Sequence, residues 1–184
     1  LKKGAQKESC LSKPDAGEFL ALWNRYPGLI KIVDLAPELE GAEDFIRRVR
    51  SRCVISMAHT AASYEGALEA FRQGVGQATH LFNGMAALGH REPGPAGAVL
   101  DSEQVRAELI CDGIHIHPAM LRMAFRILGS RAVVVSDSMR AAGMPDGEYT
   151  LGGQKVCVRQ GAALLRDGTL AGSTTNLHQE LRNL

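Results

Sequence analysis

Features that would point to a membrane or a nucleic acid are missing from this chain of 184 residues. The formal net charge is only +1, and the basic residues are dispersed apart from a run on one predicted helix, Arg47, Arg48, Arg50 and Arg52. Such a run is typical of a solvated helix face. No apolar stretch approaches the roughly 18 residues that span a membrane, and residues 1–10 lack the apolar core of a signal peptide. We therefore expect a cytoplasmic protein that binds neither membrane nor nucleic acid.

Closely spaced metal-binding and phosphate-binding motifs are also missing. The four cysteines, Cys10, Cys53, Cys111 and Cys157, are far apart and form no CxxC pair, which excludes zinc-ribbon and thioredoxin-like sites. Cys53 and Cys111 lie in or beside apolar segments and are interpreted as small core residues in a reducing compartment. Neither a Rossmann-type nor a P-loop glycine pattern is present. Gly94, Gly97 and Gly113 are therefore interpreted as residues chosen for their backbone conformation rather than as phosphate-binding glycines.

Helical and β-type segments alternate along most of the chain. Apolar residues recur at helical spacing in four segments, Asp15–Tyr26, Ala42–Arg52, Ser63–Gln73 and Pro118–Leu128. Between them lie runs of strand length, Ile30–Leu35, Cys53–Ala58, Gly76–Phe82, Arg106–Cys111 and Arg131–Ser136. This order predicts βαβ units and a parallel sheet, because each parallel crossover needs about a dozen residues. We expect an α/β fold of the (β/α)8 TIM-like barrel type, with residues 1–184 in one barrel domain.

The predicted barrel is incomplete. Five strands are recognisable where a closed barrel needs eight, and such barrels need about 200 to 400 residues, so we expect material to be missing at one or both ends. Residues 149–151, 155–159 and 162–165 are β-rich and separated by glycines, which predicts a small β-hairpin insertion near residues 145–166. A further helix is predicted to begin at Leu177. The Gly- and Pro-rich stretch from Asn83 to Asp101 is predicted to be a long loop.

Residues able to hold a metal ion or a proton follow the ends of the predicted strands. His59, His80 and Asp137 each close an apolar run, and so does Asp112, with His115 three residues further on. Since the carboxyl ends of barrel strands meet at one mouth, these side chains are expected to converge there. Imidazole is a common zinc ligand, and a carboxylate facing a bound metal can accept a proton from the metal's water. The constellation predicts metal-assisted hydrolysis with Asp137 as general base.

Each of these residues also has a simpler structural interpretation. A lone histidine in the position of His59 is more often a core or capping residue, and its repetition at His80 is what favours shared ligation of one ion. Asp137 can form a turn or cap a helix, and Asp112 can cap the turn that it begins. Arg91 offers a fork of donors suited to phosphate or carboxylate, although one loop arginine does not define a site.

Eight short segments, in order along nearly the whole chain, carry a family resemblance. They are KKGA at 2–5, LAPE at 35–38, AHT at 58–60, THLFNGM at 79–85, REPG at 91–94, DGIH at 112–115, SDSMRAAG at 136–143 and GTLAGS at 168–173. In these segments the chain resembles the N-acetylglucosamine-6-phosphate deacetylases of the amidohydrolase superfamily. Two departures are that the family usually has glycine at Ala58 and alanine at Gly84. The resemblance implies metal-dependent deacetylation of N-acetylglucosamine 6-phosphate to glucosamine 6-phosphate and acetate.

The resemblance also implies roles for individual residues. His59 and His80 correspond to the family's two metal-binding histidines, with zinc or iron as the expected ion, and Asp137 corresponds to its catalytic aspartate. Arg91 corresponds to the arginine that binds the substrate phosphate from a neighbouring subunit of a homodimer. Sugar-contacting positions correspond to Ala5, Asn83, Gly84, His115, Leu170, Ala171 and Gly172. The family's glutamate ligand and its flanking β-sandwich domain are expected to lie outside this chain.

Two other interpretations share these residues. A different amidohydrolase, acting on a cyclic or linear amide, would keep the histidines and the aspartate but use the Arg91 loop for another purpose. An inactive sugar-phosphate-binding fragment would lack the reaction, because a metal held by two histidines alone binds weakly.

Overall fold

The computed structural model describes residues 1–184 as six α-helices and eight β-strands. In chain order they are α1 (Ala16–Arg25), β1 (Ile32–Leu35), α2 (Ala42–Val49), β2 (Val54–Met57), α3 (Tyr64–Gln73), β3 (Val75–Ala78), α4 (Gly94–Asp101), β4 (Arg106–Ile110), α5 (Pro118–Leu128), β5 (Ala132–Val135), β6 (Gly147–Leu151), β7 (Gln154–Arg159), β8 (Ala162–Leu165) and α6 (Leu177–Arg182). Helices and strands alternate as far as β5, and the predicted βαβ order is confirmed.

Strands β1 to β5 form one sheet in the order of the chain. The pairs β1–β2, β2–β3 and β3–β4 are parallel, as expected of strands joined by helical crossovers. Strands β6, β7 and β8 form a separate antiparallel sheet of three strands. The α/β class is therefore confirmed, whereas the closed eight-stranded barrel stays a prediction.

The chain divides into two compact units. The first comprises residues 1–2 and 12–107, and its fully buried apolar side chains include Ile46, Val49, Ile55, Met57 and Val99. The second comprises residues 3–11 and 108–184, with a core of Met139, Ala141, Val156, Val158, Ala163, Leu165 and Ala171. No helix combines the length and the apolar composition that crossing a membrane requires.

Local chemistry explains where the helices begin and end. Asp15 caps α1 by accepting hydrogen bonds from the backbone N–H groups of Gly17 and Glu18, and Ser63 caps α3 in the same way. Three predicted helices accordingly match α1, α3 and α5 to within one residue at each end. Helix α2 is shorter than predicted because the chain leaves the helix at Val49 and turns into β2.

The prediction of one long loop over residues 83–101 is wrong in its second half, which forms α4. Six of the eight residues of α4, from Gly94 to Val99, are buried. A helix that is buried on all sides shows no amphipathic period, which is why the sequence pattern did not reveal it. Pro95 lies in the first turn, where its missing N–H leaves no hydrogen bond unmade.

Two further boundaries differ from the prediction. The third strand ends at Ala78 rather than Phe82, because the chain turns sharply at His80 and Phe82, whose φ angles are 34° and 76°. The predicted hairpin near residues 145–166 is a three-stranded meander, since β8 pairs with β7 as β7 pairs with β6.

Candidate active site

Four of the residues that the sequence singled out share one position relative to their strands. His59, His80, Asp112 and Asp137 are each the second residue after the end of a strand, namely β2, β3, β4 and β5. The first residue past a strand continues the extended path, and the second is where the chain turns away. A side chain at that point lies at the carboxyl end of the sheet.

Three of these residues also have a strained backbone. The φ angles of His59, His80 and Asp137 are 48°, 34° and 46°. Only two other non-glycine residues, Phe82 and Gln160, have positive φ angles. A left-handed conformation costs a non-glycine residue roughly 1–2 kcal/mol, and such strain clusters at active sites and ligand clamps. The three residues that the sequence singled out are therefore among the five non-glycine residues with this strained conformation.

His59 and His80 meet through their Nε2 atoms, which lie 3.2 Å apart. The rings are nearly perpendicular, at 87°, with centroids 4.8 Å apart. The other nitrogen of His59, Nδ1, lies 2.8 Å from the carbonyl oxygen of Lys2. Because a carbonyl oxygen can only accept, Nδ1 carries the proton, and the Nε2 atom of the neutral ring presents a lone pair toward His80.

This geometry fits a metal ion. Zinc–imidazole bonds are about 2.0–2.1 Å long, so two tetrahedral ligand nitrogens lie roughly 3.3 Å apart, close to the observed Nε2 separation. Metal-binding histidines usually donate their second N–H to a carbonyl or carboxylate, as His59 does to Lys2. Across the chain, no group of three or more His, Cys, Asp or Glu side chains is arranged to hold a metal.

A carboxylate fixes the segment that follows His59. Glu38 accepts hydrogen bonds from the Thr60 hydroxyl at 2.5 Å and from the Ala61 backbone N–H at 2.6 Å. Burial raises the pKa of Glu38, but the Leu1 ammonium, 2.7 Å away, and the hydrogen bonds from Thr60 and Ala61 together hold that pKa below its ordinary value. Glu38 therefore stays ionised and anchors this turn, a supporting role that the sequence did not disclose.

Asn83 and Gly84 follow His80 closely. The Asn83 backbone N–H donates to the His80 carbonyl at 2.9 Å. Gly84 has φ 59°, and a Cβ added there would lie 2.8 Å from His59 Nδ1. Glycine thus leaves room for the His59 ring, and a side chain at this position would push against it. Arg91 lies on an exposed turn that is closed by a hydrogen bond from Gly89 N–H to the Glu92 carbonyl.

In the second unit, His115 lies between two acceptors. Its Nδ1 is 2.6 Å from Asp112 Oδ2 and its Nε2 is 2.7 Å from the carbonyl oxygen of Ala171. Neither acceptor carries a proton to donate when Asp112 is ionised, so both ring nitrogens donate and the ring is an imidazolium. The other carboxylate oxygen of Asp112 accepts from the Ile114 and His115 backbone N–H groups. Asp112 thus caps the turn and orients His115 at once.

The pKa values of this pair move in the directions that keep both groups charged. Burial lowers the pKa of His115, but its bonds to Asp112 and Ala171 raise it above the ordinary value. Burial raises the pKa of Asp112, but the hydrogen bonds from His115 hold it below the ordinary value. Mutual stabilisation of opposite charges outweighs the cost of desolvation in each case.

Asp137 is exposed, and its backbone is fixed by the segment 170–175. The Asp137 carbonyl accepts a hydrogen bond from Ser173 N–H at 2.9 Å. A Cβ added to Gly172 would lie 2.8 Å from that same carbonyl oxygen, so glycine is needed for this approach. Ala171 N–H donates to Ala163, which ties the segment to β8. Ala5, another predicted site residue, packs against the core of this unit, and its carbonyl accepts from Gln154 Nε2 at 2.7 Å.

Comparison with known proteins gives a consistent set of relatives. The chain is 42% identical over 183 residues to the N-acetylglucosamine-6-phosphate deacetylase of Bacillus subtilis, a match that covers 98% of this chain and 46% of that protein. The chain is a relative of the N-acetylglucosamine-6-phosphate deacetylases. It spans about half the length of the curated relatives it matches. The resemblance seen in the eight sequence segments is thereby confirmed. No protein-family model matches the chain.

Solved structures of such deacetylases have the same fold over this region. The structure of a Mycobacterium smegmatis deacetylase mutant in complex with N-acetylglucosamine 6-phosphate matches with a TM-score of 0.92 at 36% identity, covering 98% of this chain and 48% of that one. The Thermotoga maritima deacetylase matches with a TM-score of 0.90 at 38% identity, covering 99% and 49%. A relative with a different name, the N-acetylgalactosamine-6-phosphate deacetylase of Escherichia coli O157:H7, is 41% identical over 156 residues, 84% of this chain and 41% of that protein.

Proposed function

We propose that this protein catalyses the metal-dependent deacetylation of N-acetylglucosamine 6-phosphate, giving glucosamine 6-phosphate and acetate. The observation that carries the proposal is the match over nearly the whole chain to deacetylases of this substrate. The imidazole pair and the strained aspartate provide the chemical groups that such a hydrolysis requires.

His59 and His80 are the residues that would hold the divalent ion, zinc or iron. A cation bound there supplies a Lewis acid for the acetamide carbonyl and lowers the pKa of water at the site. The protein's own contribution is the fixed tautomer of His59, since the Lys2 carbonyl keeps the proton on Nδ1 and leaves Nε2 as the ligand atom.

Asp137 is assigned the proton transfers. Its exposed carboxylate takes the proton of the attacking water and returns it to the amine nitrogen as the amide C–N bond breaks. The left-handed backbone of Asp137, held by Ser173 and by the close approach of Gly172, fixes where the carboxylate projects. Fixed geometry is what makes such a transfer effective.

The sugar phosphate is assigned to the remaining predicted residues. Arg91 is exposed and can present its guanidinium fork to a phosphate, and we propose that it does so across the interface of a homodimer. Asn83 and Gly84 beside the histidines, and Ala5 with residues 170–172 in the second unit, are proposed to contact the sugar. His115 has both ring nitrogens engaged, so we propose that it serves the sugar site by holding the Ala171 carbonyl rather than by contacting the sugar through its ring nitrogens.

The fold proposal follows from the same relatives. We propose that β1 to β5 are part of a (β/α)8 barrel, that the antiparallel sheet is an insertion in it, and that the protein acts in the cytoplasm. The parallel pairing of the first four strands, and the placement of site residues just beyond strand ends, support the barrel.

The experiment that tests the function is Asp137→Asn in the complete gene product. We expect turnover of N-acetylglucosamine 6-phosphate to fall by at least about a thousandfold, on the scale of losing general acid–base catalysis, with metal content unchanged by elemental analysis. Asp44→Asn, which neutralises a half-exposed aspartate of α2, is the matched control. Loss of metal together with activity would make Asp137 a ligand instead. Equal hydrolysis of unphosphorylated N-acetylglucosamine would remove the role given to Arg91 and favour another amidohydrolase reaction.

A second candidate substrate is N-acetylgalactosamine 6-phosphate. The observation that favours it is the 41% identity to a deacetylase named for this sugar, nearly the same as the 42% identity to a relative named for N-acetylglucosamine 6-phosphate. The two substrates differ only in the orientation of the hydroxyl at C4, so the same catalytic groups serve both. Measuring kcat/KM for each with one preparation decides between them.

A further inference from the structure

A buried carboxylic acid, Glu180, has no part in the function proposed above. It lies on α6, and none of its surface is exposed. An ionisable group is rarely fully buried without a partner that compensates for lost hydration. The contacts of Glu180 must therefore compensate for the hydration that its carboxyl group has lost.

Glu180 faces both neutral donors and charged groups. The Thr175 hydroxyl donates a short hydrogen bond to Oε1, and the Cys111 backbone N–H also donates to the carboxyl group. The other oxygen, Oε2, has no partner. Burial raises the pKa of Glu180, the neighbouring Asp112 raises it further, and His115 acts in the opposite direction.

A one-way chain of hydroxyl groups connects Glu180 to the segment beside Asp137. Ser173 Oγ accepts from the Thr175 backbone N–H at 2.9 Å and lies 2.7 Å from Thr175 Oγ1. Because the single proton of the Thr175 hydroxyl is donated to Glu180, the Ser173 hydroxyl is the donor in this contact. Thr175 Oγ1 in turn donates to Glu180. The chain ends at the carboxyl group, whose Oε1 atom accepts the last hydrogen bond.

Ser173 holds the backbone on the C-terminal side of the strained residue. Its N–H donates to the Asp137 carbonyl and its carbonyl accepts from Met139 N–H, both at 2.9 Å. The Ser138 hydroxyl adds a bond to the Thr175 carbonyl at 2.6 Å. An aspartate keeps a left-handed backbone only when the contacts around it stabilise that conformation. These hydrogen bonds are the contacts that hold the backbone beside Asp137.

We propose that Glu180 is a positioning residue for Asp137, acting through the hydroxyls of Thr175 and Ser173. The proposal rests on the function proposed above, in which Asp137 carries the proton. Glu180 itself touches neither substrate nor metal in this assignment. Its Oε1 atom accepts the hydrogen bond from Thr175 that anchors residues 173–175.

The test compares Thr175→Val and Glu180→Leu, each of which breaks the chain at one end of the same hydrogen bond. In the complete gene product each should lower kcat about tenfold and leave KM within about twofold, the size expected for one buried hydrogen bond. Because both changes remove one link, the double variant should be no slower than either single variant. Glu180→Gln keeps the acceptor oxygen and should restore kcat to near the wild-type value, and His178→Ala, on the exposed side of α6, should change nothing.

Amide hydrogen exchange provides a readout that does not depend on activity. The N–H groups of Ser173 and Met139 should exchange faster in Thr175→Val, and those of α3 should not. Unchanged exchange at Ser173, additive losses in the double variant, or wild-type kcat in Thr175→Val would each overturn the proposal. A wild-type protein without deacetylase activity would instead overturn the proposed function, and the exchange data would still decide whether Glu180 holds this segment.

Discussion

Replacing Asp112 with asparagine should destabilise the protein in a manner that depends on pH. Asparagine keeps the side-chain volume and an oxygen that can accept from the Ile114 and His115 backbone N–H groups. The change removes the negative charge opposite the His115 ring, 2.6 Å away, where the His115 and Asp112 side chains are only 6% and 2% exposed. The substitution therefore isolates the buried ion pair from the turn that Asp112 also caps.

The magnitude follows from the burial of the pair. A hydrogen bond to a charged group contributes about 1.5–3 kcal/mol, and removing one partner of a buried ion pair costs about 3–5 kcal/mol. The imidazole can avoid part of the second cost by losing its proton and accepting from the new amide. We therefore expect a loss of about 2–3 kcal/mol in the free energy of unfolding at pH 5.5.

This loss should shrink as the pH rises. The pKa of His115 is raised above 6.5 in the folded chain, so the stabilisation is fully present below pH 6.5 and disappears as the pH rises through the folded value. The pKa of Asp112 is lowered, so the stabilisation also requires a pH above 3.8, the ordinary pKa of an aspartate. The ion pair thus contributes most between these two values.

Urea unfolding of wild type and variant at pH 5.5, 7.0, 8.5 and 9.5 measures the effect. Asp167→Asn is the matched control, because Asp167 is an exposed aspartate that caps Thr169 N–H but faces no histidine. Its effect should be small and constant over this range. A cost for Asp112→Asn that is equal at all four pH values, or no larger than that of the control, would refute the assignment of an imidazolium at His115.

Two further outcomes follow from the site geometry. His59→Ala and His80→Ala should each weaken zinc binding by at least about tenfold in calorimetric titration, because each removes one of the two imidazole ligands, while His90→Ala should bind as the wild type does. Gly172→Ala should lower deacetylase kcat more than Gly76→Ala, because a Cβ at Gly172 meets the Asp137 carbonyl at 2.8 Å whereas nothing lies within 4 Å of one at Gly76. Normal zinc binding by His59→Ala, or equal kcat for the two glycine variants, would contradict these expectations.

Periodicity disclosed most of the fold, and its failures have a common cause. Helices α1, α3 and α5 have one polar face, so apolar residues recur at helical spacing. Helix α4 is buried almost throughout and rich in glycine and proline, so it presents no period and resembles a loop. Apolar periodicity reveals a helix only when one face is polar and the other is apolar. It gives no signal for a helix whose faces are both buried.

The sequence also disclosed only part of the candidate site. The sequence pattern identified His59, His80 and Asp137, because each of them follows an apolar run of strand length. Such a run consists of residues that are adjacent in the sequence, so it can be recognised without the structure. The tautomer of His59 depends on the Lys2 carbonyl, 57 residues away in sequence, and the role of Glu180 depends on Thr175, Ser173 and Cys111. Such contacts join polar atoms across distant segments and leave no local spacing from which they can be inferred.

The strained backbone at Asp137 leads to one more expectation. Thirteen glycines in this chain adopt positive φ angles, so glycine is the residue used where only a turn is needed. An aspartate at a positive φ angle adds conformational strain, which is accepted because its side chain is needed. Asp137→Gly should therefore be more stable than Asp137→Ala by about 1 kcal/mol. On an exposed face of α3 the order should reverse, with Glu65→Ala more stable than Glu65→Gly by about the same amount. Urea unfolding of the four variants tests this, and an alanine at least as stable as glycine at position 137 would show that the left-handed turn is not under strain. If glycine is more stable than alanine at position 137, both Asp137 variants should also lack activity, because neither has the carboxylate that the proposed reaction requires.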